Sequence, residues 1–132
     1  MIRDAMYLIK ANAPLNTEAY TYAQTQISSG KVHFLIDEAE AKTKLMSKKV
    51  GQNMSLDARN EYLRPFVLTT ILREQMLNLV EDNQGVNIIL KQDSRSIKKD
   101  KFSAFLYGLY YIKKQEEKKK KRRSISDFLF MN

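Results

Sequence analysis

The spacing of apolar residues predicts a first helix after Pro14. Pro14 is expected to stop residues 1–11, a mildly apolar segment whose pattern fits either a strand or a short helix. Asn16 and Thr17 can cap the helix that follows, and Ser29-Gly30 can end it. Its apolar residues recur at helical intervals: Leu15, Ala19, Tyr22, Ala23 and Ile27.

A short apolar run and a second helix are predicted next. Residues 32–36 (VHFLI) form a continuous apolar stretch after a turn, which favours a buried strand. Asp37 can cap a helix that extends to about Lys48, with a modest apolar face at Ala39 and Met46. Residues 51–53 (GQN) are typical of a loop.

The longest predicted helix begins at Ser55 and extends to about Asp82. Pro65 lies inside it and predicts a kink or a break into two helices. Residues 65–72 (PFVLTTIL) are apolar almost all round, so we expect this part to be buried on several sides. The stripe consists of Tyr62, Phe66, Thr69, Leu72, Met76, Leu79 and Val80.

A turn, a second strand and a last helix complete the pattern. Residues 83–85 (NQG) predict a turn and residues 86–90 (VNIIL) a strand. The last helix is expected from about Asp100 to Lys114 or beyond, and Gly108 in its middle predicts close packing against another element. Its core-facing residues are Phe102, Phe105, Leu106, Leu109 and Tyr110.

The predicted order is helix, strand, helix, helix, strand, helix, which is a helix-rich α/β or α+β arrangement. The length of 132 residues fits one domain. Two strands do not make a stable sheet alone. We therefore expect that the N-terminal segment adds strands or that another chain completes the sheet.

Charge is concentrated near the C-terminus. The net charge is +8, and residues 113–123 (KKQEEKKKKRR) hold eight basic and two acidic residues, or +6 of that total. About +2 remains for the rest of the chain, so the body is nearly neutral. A local excess of this kind favours a polyanion partner, nucleic acid before membrane. The alternative is a solvated, frayed tail that aids solubility.

Composition excludes several kinds of site. The chain has no Cys, which excludes disulfides and thiolate metal sites. His33 is the single histidine and sits in an apolar run, so a core or edge histidine is favoured over a zinc or catalytic role. No glycine-rich phosphate loop is present, so an ATPase is not encoded. No segment predicts a membrane span or a signal peptide, and a cytoplasmic protein is expected.

Asp100 is the carboxylate with the most informative surroundings. It lies between Lys98, Lys99 and Lys101 at the start of an otherwise apolar helix. A structural role is to cap the helix or complement its dipole, worth about 0.5–2 kcal/mol. The functional alternative is a metal-binding carboxylate whose lysines meet phosphates. Spacing does not join it to the other acids near element ends, which are Asp4, Glu18, Asp37, Glu38 and Asp93.

Aromatic and apolar residues flank the basic run on both sides. Tyr107, Tyr110 and Tyr111 could stack on bases, although core packing is the commoner role at this spacing. Residues 125–130 (ISDFLF) follow the basic run and fit either a docking peptide or a strand that folds back.

Four segments together resemble the nuclease domain of large terminase subunits of tailed bacteriophages and prophages. Residues 98–123 (KKDKFSAFLYGLYYIKKQEEKKKKRR) resemble the end of that domain, where a Lys-Asp-Arg/Lys-Phe/Tyr-Ser signature leads into a Tyr-Gly-Leu-Tyr-Tyr helix and a basic tail. The similarity covers most of residues 12–123 in order. The other segments are LNTEAYTYAQTQISSGKVHFLI (15–36), RPFVLTTILREQMLNLVED (64–82) and VNIILKQ (86–92).

The resemblance implies a ribonuclease-H-like α/β fold that cuts phage DNA with two divalent metals, Mg²⁺ or Mn²⁺, during genome packaging. It implies that Asp100 is the last metal-binding, catalytic acid. It also implies a partial nuclease domain over residues 1–114 and a basic tail over residues 115–132, acting in the cytoplasm of the bacterial host. The residues expected to contact DNA are Lys98, Lys99, Lys101, Lys118, Lys119, Lys120, Lys121, Arg122 and Arg123.

The other acids of the family lie on strands upstream of the helix that resembles residues 16–29. Residues 1–11 hold no matching strand-borne Asp, and Asp4 is a poor candidate. We therefore expect a C-terminal part of a large terminase, such as one piece of a split gene, that is a poor nuclease alone. Expected partners are double-stranded DNA, the rest of the large terminase with its ATPase, and the portal or small terminase. The alternative is a non-catalytic nucleic-acid-binding protein or a phage structural adaptor that uses the basic tail.

Overall fold

The computed structural model describes residues 7–130, which fold into five helices and one β-hairpin. The predicted helix-rich character is confirmed, with a small two-stranded antiparallel sheet that is compatible with an α/β class in general. The elements are α1 (Ala13–Ser28), α2 (Glu38–Met46), α3 (Lys49–Asn53), α4 (Leu56–Leu77), β1 (Leu79–Gln84), β2 (Asn87–Gln92) and α5 (Asp100–Phe130).

Helix α1 begins earlier than predicted. The side chain of Asn12, not Asn16 or Thr17, caps it by accepting a hydrogen bond from the backbone N–H of Leu15 at 2.9 Å. Pro14 lies in the first turn, where its missing N–H costs nothing, and so it starts the helix and does not precede it. Residues 1–6 of the ambiguous N-terminal segment lie outside the described residues, and residues 7–12 form neither helix nor strand.

The predicted strand at residues 32–36 is wrong. The segment has no regular secondary structure and pairs with no strand in the described part of the chain. Its alternate residues are half-buried against helices: Phe34 packs on Phe105 of α5 with ring centroids 5.6 Å apart, and Ile36 packs beside α2 and α4. His33 points to solvent and is exposed, so it is not a core histidine.

The α2–α3 region is partly as predicted. Asp37 caps α2 by accepting from the N–H of Glu40 at 2.9 Å. The buried face consists of Ala41 and Leu45, whereas Ala39 is exposed. The predicted loop at residues 51–53 is wrong, because Lys49–Asn53 forms α3. A Cβ on Gly51 would lie 2.1 Å from the carbonyl oxygen of Leu45, so only glycine allows this packing.

Helix α4 begins as predicted but passes through Pro65 without a break. Ser55 caps it by accepting from the N–H of Ala58 at 3.2 Å. The helix ends at Leu77, because the last residues of the predicted helix form β1. Residues 65–72 are half-buried or exposed, so the prediction that they are buried on several sides is wrong.

The second predicted strand and its turn are confirmed. Strand β2 pairs antiparallel with β1, from Leu79 opposite Gln92 to Gln84 opposite Asn87. Gly85 takes a φ of +63° in the tight turn, a conformation that glycine adopts without strain.

The main core lies between α1 and α5. Ala19 and Ala23 of α1 are buried against Phe102, Leu106 and Tyr110 of α5. Helix α5 begins at Asp100 as predicted and continues past the predicted domain boundary at residues 114–115 as one helix. Gly108 faces open space, so its predicted close packing is wrong. A second, smaller core joins α2 and α4 through Ala41, Leu45 and Leu63.

Candidate nucleic-acid interface

The first half of α5 is fixed to the body of the protein by its tyrosines. Tyr110 is buried in the main core, and the hydroxyl of Tyr107 donates to Oδ1 of Asn16 at 2.9 Å. Tyr111 contacts Tyr7 edge to face at 5.0 Å. Tyr110 therefore packs in the core, and Tyr107 and Tyr111 each have a partner within the chain, which favours packing over base stacking for the predicted aromatic set.

Lys113 and Lys114 belong to the same fixed part of the helix. Both ammonium groups contact Glu18 of α1, Lys114 at 3.0 Å, and both lie near Glu117. Hydrogen bonds from Lys113 and then Lys114 lower the pKa of Glu18, and the hydrogen bond to Glu18 raises the pKa of each lysine. All three side chains remain charged at neutral pH. Lys113 and Lys114 thus form ion pairs within the chain and hold α5 to α1.

The basic segment Lys118–Arg123 differs from Lys113 and Lys114 in its exposure and in its ion pairing. All six side chains are exposed, and none forms an ion pair within residues 7–130. Because the helix rises about 1.5 Å per residue, these six positive charges are spread over a length of only about 9 Å along its axis. Because successive residues turn by about 100°, these charges surround the helix and do not form one stripe. A strong positive field results at this end of α5.

Asp100 is the first residue of α5, as predicted, and its carboxylate is already partnered. Its Oδ2 accepts from Lys101 Nζ at 2.9 Å, and its Oδ1 accepts from Gln75 Nε2 at 2.8 Å. These hydrogen bonds, Lys101 first and Gln75 second, lower the pKa of Asp100 to about 2. The side chain is 57% exposed and is ionised at neutral pH.

Gln75 is a buried polar residue that the sequence analysis did not identify. It is 4% exposed, and its Oε1 accepts from the backbone N–H of Phe102 at 3.0 Å while its Nε2 holds Asp100. A side chain of α4 thus caps the N-terminus of α5 from outside. The sequence held one sign of this role, because Gln75 is a polar residue on the apolar stripe of α4, between Leu72 and Met76.

Asn78, which follows the last residue of α4, makes a second set of hydrogen bonds between the end of α4 and the segment before α5. Its Nδ2 donates to the carbonyl of Ser94 at 2.9 Å, and its Oδ1 accepts from the N–H of Ser94 at 2.9 Å. The N–H of Asp93 donates to the carbonyl of Asn78 at 2.8 Å. These bonds fix the start of the connection between β2 and α5, which carries Lys98 and Lys99.

The structure separates the predicted DNA-contacting residues into two groups. Lys98, Lys99 and Lys101 lie at the N-terminal end of α5, and Lys101 pairs with Asp100. Lys118 follows Lys101 by seventeen residues on the same helix, a distance of about 26 Å along its axis. The two groups therefore cannot contact the same phosphate, although they lie on one continuous element.

The described residues do not fit a two-metal site. Within residues 7–130, no group of three or more His, Asp and Glu side chains is arranged to hold a metal ion. Glu18 is bound to lysines and Asp37 caps α2, whereas Asp4 lies outside the described part. A single carboxylate supplies too few ligands for two divalent ions, so Asp100 with its partners in residues 7–130 does not form a two-metal centre.

In comparisons with known proteins, no family model, no curated protein and no solved structure matches the chain.

Across residues 7–130, no helix is both long enough and apolar enough to cross a lipid bilayer.

Replacing Gln75 by Leu is expected to reduce the free energy of unfolding by about 1–3 kcal/mol, because the buried N–H of Phe102 would then have no acceptor. Urea denaturation measures this change. Gln24→Leu on the exposed side of α1 is the control and should change stability by less than about 0.5 kcal/mol. Equal small effects of both substitutions would mean that Gln75 does not cap α5.

Proposed function

We propose that this protein holds nucleic acid through Lys118–Arg123, and that it does so as the C-terminal part of the nuclease domain of a phage large terminase subunit. The first half of the proposal is carried by one observation. Six consecutive cationic side chains are exposed and free of ion pairs within the described residues, on a helix whose other end is packed into the core.

Exposed lysine and arginine side chains such as those of Lys118–Arg123 are well suited to contact phosphates. Lysine and arginine that neutralise phosphates release condensed counterions, and this release supplies most of the affinity for sequence-independent binding. A helix that is already formed also limits the ordering cost of binding. The alternative of a frayed, purely solubilising tail is less favoured, because the basic segment continues the same helix that packs on α1.

The second half of the proposal depends on the four segments that resemble the terminase nuclease domain. In it, the β1–β2 hairpin would belong to a ribonuclease-H-like sheet whose other strands come from the rest of the large terminase. That part, with its ATPase, is the proposed partner, together with double-stranded DNA and the portal or small terminase. The proposed place of action is the cytoplasm of the bacterial host.

Metal-dependent cutting enters the proposal only through that partner. Asp100 is ionised and partly exposed, so it could contribute one carboxylate toward Mg²⁺ or Mn²⁺ when other chain segments supply the remaining acids. The chain by itself is proposed to hold DNA and not to cleave it. The connection that carries Lys98 and Lys99 would then place two further cations beside the same carboxylate.

Replacing Lys119, Lys120, Lys121 and Arg122 together by Gln is expected to weaken binding to a duplex of random sequence. The slope of log affinity against log salt should become shallower by about one for each phosphate that the variant no longer neutralises. Fluorescence anisotropy at several salt concentrations measures both the affinity and its slope. Lys113 and Lys114 are kept, because they hold α5 to Glu18.

The matched control replaces Lys31, Lys42, Lys48 and Lys49 by Gln. These four lysines are exposed and lie outside α5, so the same charge is removed elsewhere. The control should retain the wild-type salt slope. An equal weakening of binding in both variants would show that net charge, and not the basic segment, determines binding.

Addition of millimolar Mn²⁺ is expected to leave the melting temperature of the isolated chain unchanged, since one paired carboxylate does not make a metal site. Plasmid DNA incubated with the chain and Mn²⁺ should likewise stay largely uncut. Differential scanning fluorimetry and gel electrophoresis give the two readouts. A melting-temperature rise and EDTA-sensitive cutting, both abolished by Asp100→Asn, would overturn this part of the proposal.

A further inference from the structure

The C-terminal end of α5 carries an apolar stripe that the proposed DNA contact does not use. Ile125, Phe128 and Leu129 are 61%, 81% and 68% exposed. Their spacing of three and four residues places them on one face of the helix. Lys121 and Arg122, one turn earlier, lie on the same face by helical geometry. The end of α5 therefore offers an apolar stripe that is continuous with positive charge.

A groove of complementary chemistry lies along α4, beside the start of α2. It consists of two cavities of about 580 and 400 Å³ that share Glu38. Leu63 and Val67 line the first cavity, and Leu77, which is 88% exposed, lines the second. Acidic residues outnumber basic ones in the lining of the two cavities, with five acids and two arginines, a formal charge of −3. They are Asp37, Glu38, Asp57, Glu61, Glu74, Arg64 and Arg73.

The apolar stripe cannot reach this groove within one chain. Helix α5 is continuous to Phe130, and its packing on α1 ends near Glu116, which accepts from the hydroxyl of Tyr22 at 3.3 Å. The residues beyond that point project away from the body as one helix. Within residues 7–130, neither the stripe nor the basic segment forms an ion pair or core contact with α2 or α4.

We propose that the C-terminal end of α5, residues 118–130, docks into the α4 groove of a second copy of this chain. The segment is about 20 Å long and the lined part of α4, residues 57–77, is about 30 Å long, so the helix fits along it. Ile125, Phe128 and Leu129 are the apolar anchors, and Lys121 and Arg122 meet the acidic rim.

Charge also opposes a symmetric contact in which two α5 ends lie parallel. That arrangement would bring six cations near six cations, with Asp127 as the one acid after the basic segment. An antiparallel tail-to-tail contact would leave the groove unused, and a variant with Glu61→Lys and Glu74→Lys that still associates would reveal it. The proposed contact is heterologous, since the tail and the groove are different surfaces. The dimer therefore keeps a free tail on one copy and a free groove on the other, and association continues beyond the dimer into a ring or an open chain.

Sedimentation velocity over a range of protein concentrations tests this contact in the full chain. The wild type is expected to form dimers and larger species as concentration rises. Ile125→Ser with Phe128→Ser removes the tail anchors, and Glu61→Lys with Glu74→Lys reverses charge in the groove; each double variant should remain monomeric. Leu8→Ser with Val86→Ser is the matched control, because these residues are also exposed and apolar, and it should associate like the wild type.

Mixing the two double variants makes the test decisive. The variant with Ile125→Ser and Phe128→Ser (the tail variant) keeps an intact groove. The variant with Glu61→Lys and Glu74→Lys (the groove variant) keeps an intact tail. A 1:1 mixture of the two should therefore form dimers and nothing larger. Circular dichroism verifies that each variant is folded. A wild type that stays monomeric, a tail variant that still associates, or a mixture of folded variants that stays monomeric would each overturn the proposal. Docking and DNA binding share Lys121 and Arg122, so DNA affinity is compared at a protein concentration where the wild type is monomeric. There the variant with Ile125→Ser and Phe128→Ser should bind DNA like the wild type, which tests the proposed function separately.

Discussion

The close packing of α1 on α5 is the contact on which the other features depend. Ala19 and Ala23 have small side chains, so the two helices approach closely and bury Phe102, Leu106 and Tyr110 between them. Larger residues at these two positions would force the helices apart, typically at a cost of about 1–3 kcal/mol. Glu18 extends the same contact outward through Lys113 and Lys114. Because this half of α5 is held, the other half extends beyond the body with its basic residues exposed.

Two buried amides determine where α5 begins. Gln75 binds the N–H of Phe102 and the carboxylate of Asp100, and Asn78 binds both backbone groups of Ser94. Both side chains lie near the end of α4, so the hairpin that follows α4 and the connection that precedes α5 are fixed from the same place. The hydrogen bonds from Lys101 and, second, from Gln75 lower the pKa of Asp100 below its ordinary value. A structural role for Asp100 is thus present within residues 7–130, whereas a role in metal binding requires acids that these residues do not bring to it.

The parts of the fold that the sequence predicted correctly are those controlled by local chemistry. Asp37 caps the helix that it was expected to cap, the long helix begins at Ser55 as expected, and Gly85 makes the expected turn. The errors arose where tertiary contacts decide the outcome. Residues 32–36 have strand-like composition, but helices and not strands cover Phe34 and Ile36. Gly108 suggested a close neighbour, yet the helix face at that position is open.

The candidate site was predictable in charge but not in geometry. Composition located the positive charge within residues 113–123, but it could not separate Lys113 and Lys114, whose partner is 95 and 96 residues away in sequence, from the free segment that follows. Gln75 was missed for the same reason, since its partners Asp100 and Phe102 lie 25 and 27 residues further along. Pairing over such separations depends on the fold and is not visible in residue spacing.

One half of α5 is packed into the core, and we propose that the other half binds DNA. Hydrogen exchange of the chain, measured with and without a DNA duplex, tests it most directly because each amide reports its own region. We expect slow exchange at residues 102–112 both with and without DNA. At residues 118–123 we expect exchange to be slower with DNA than without it. Protection by DNA that appears in α2 to α4, with none at residues 118–123, would contradict it.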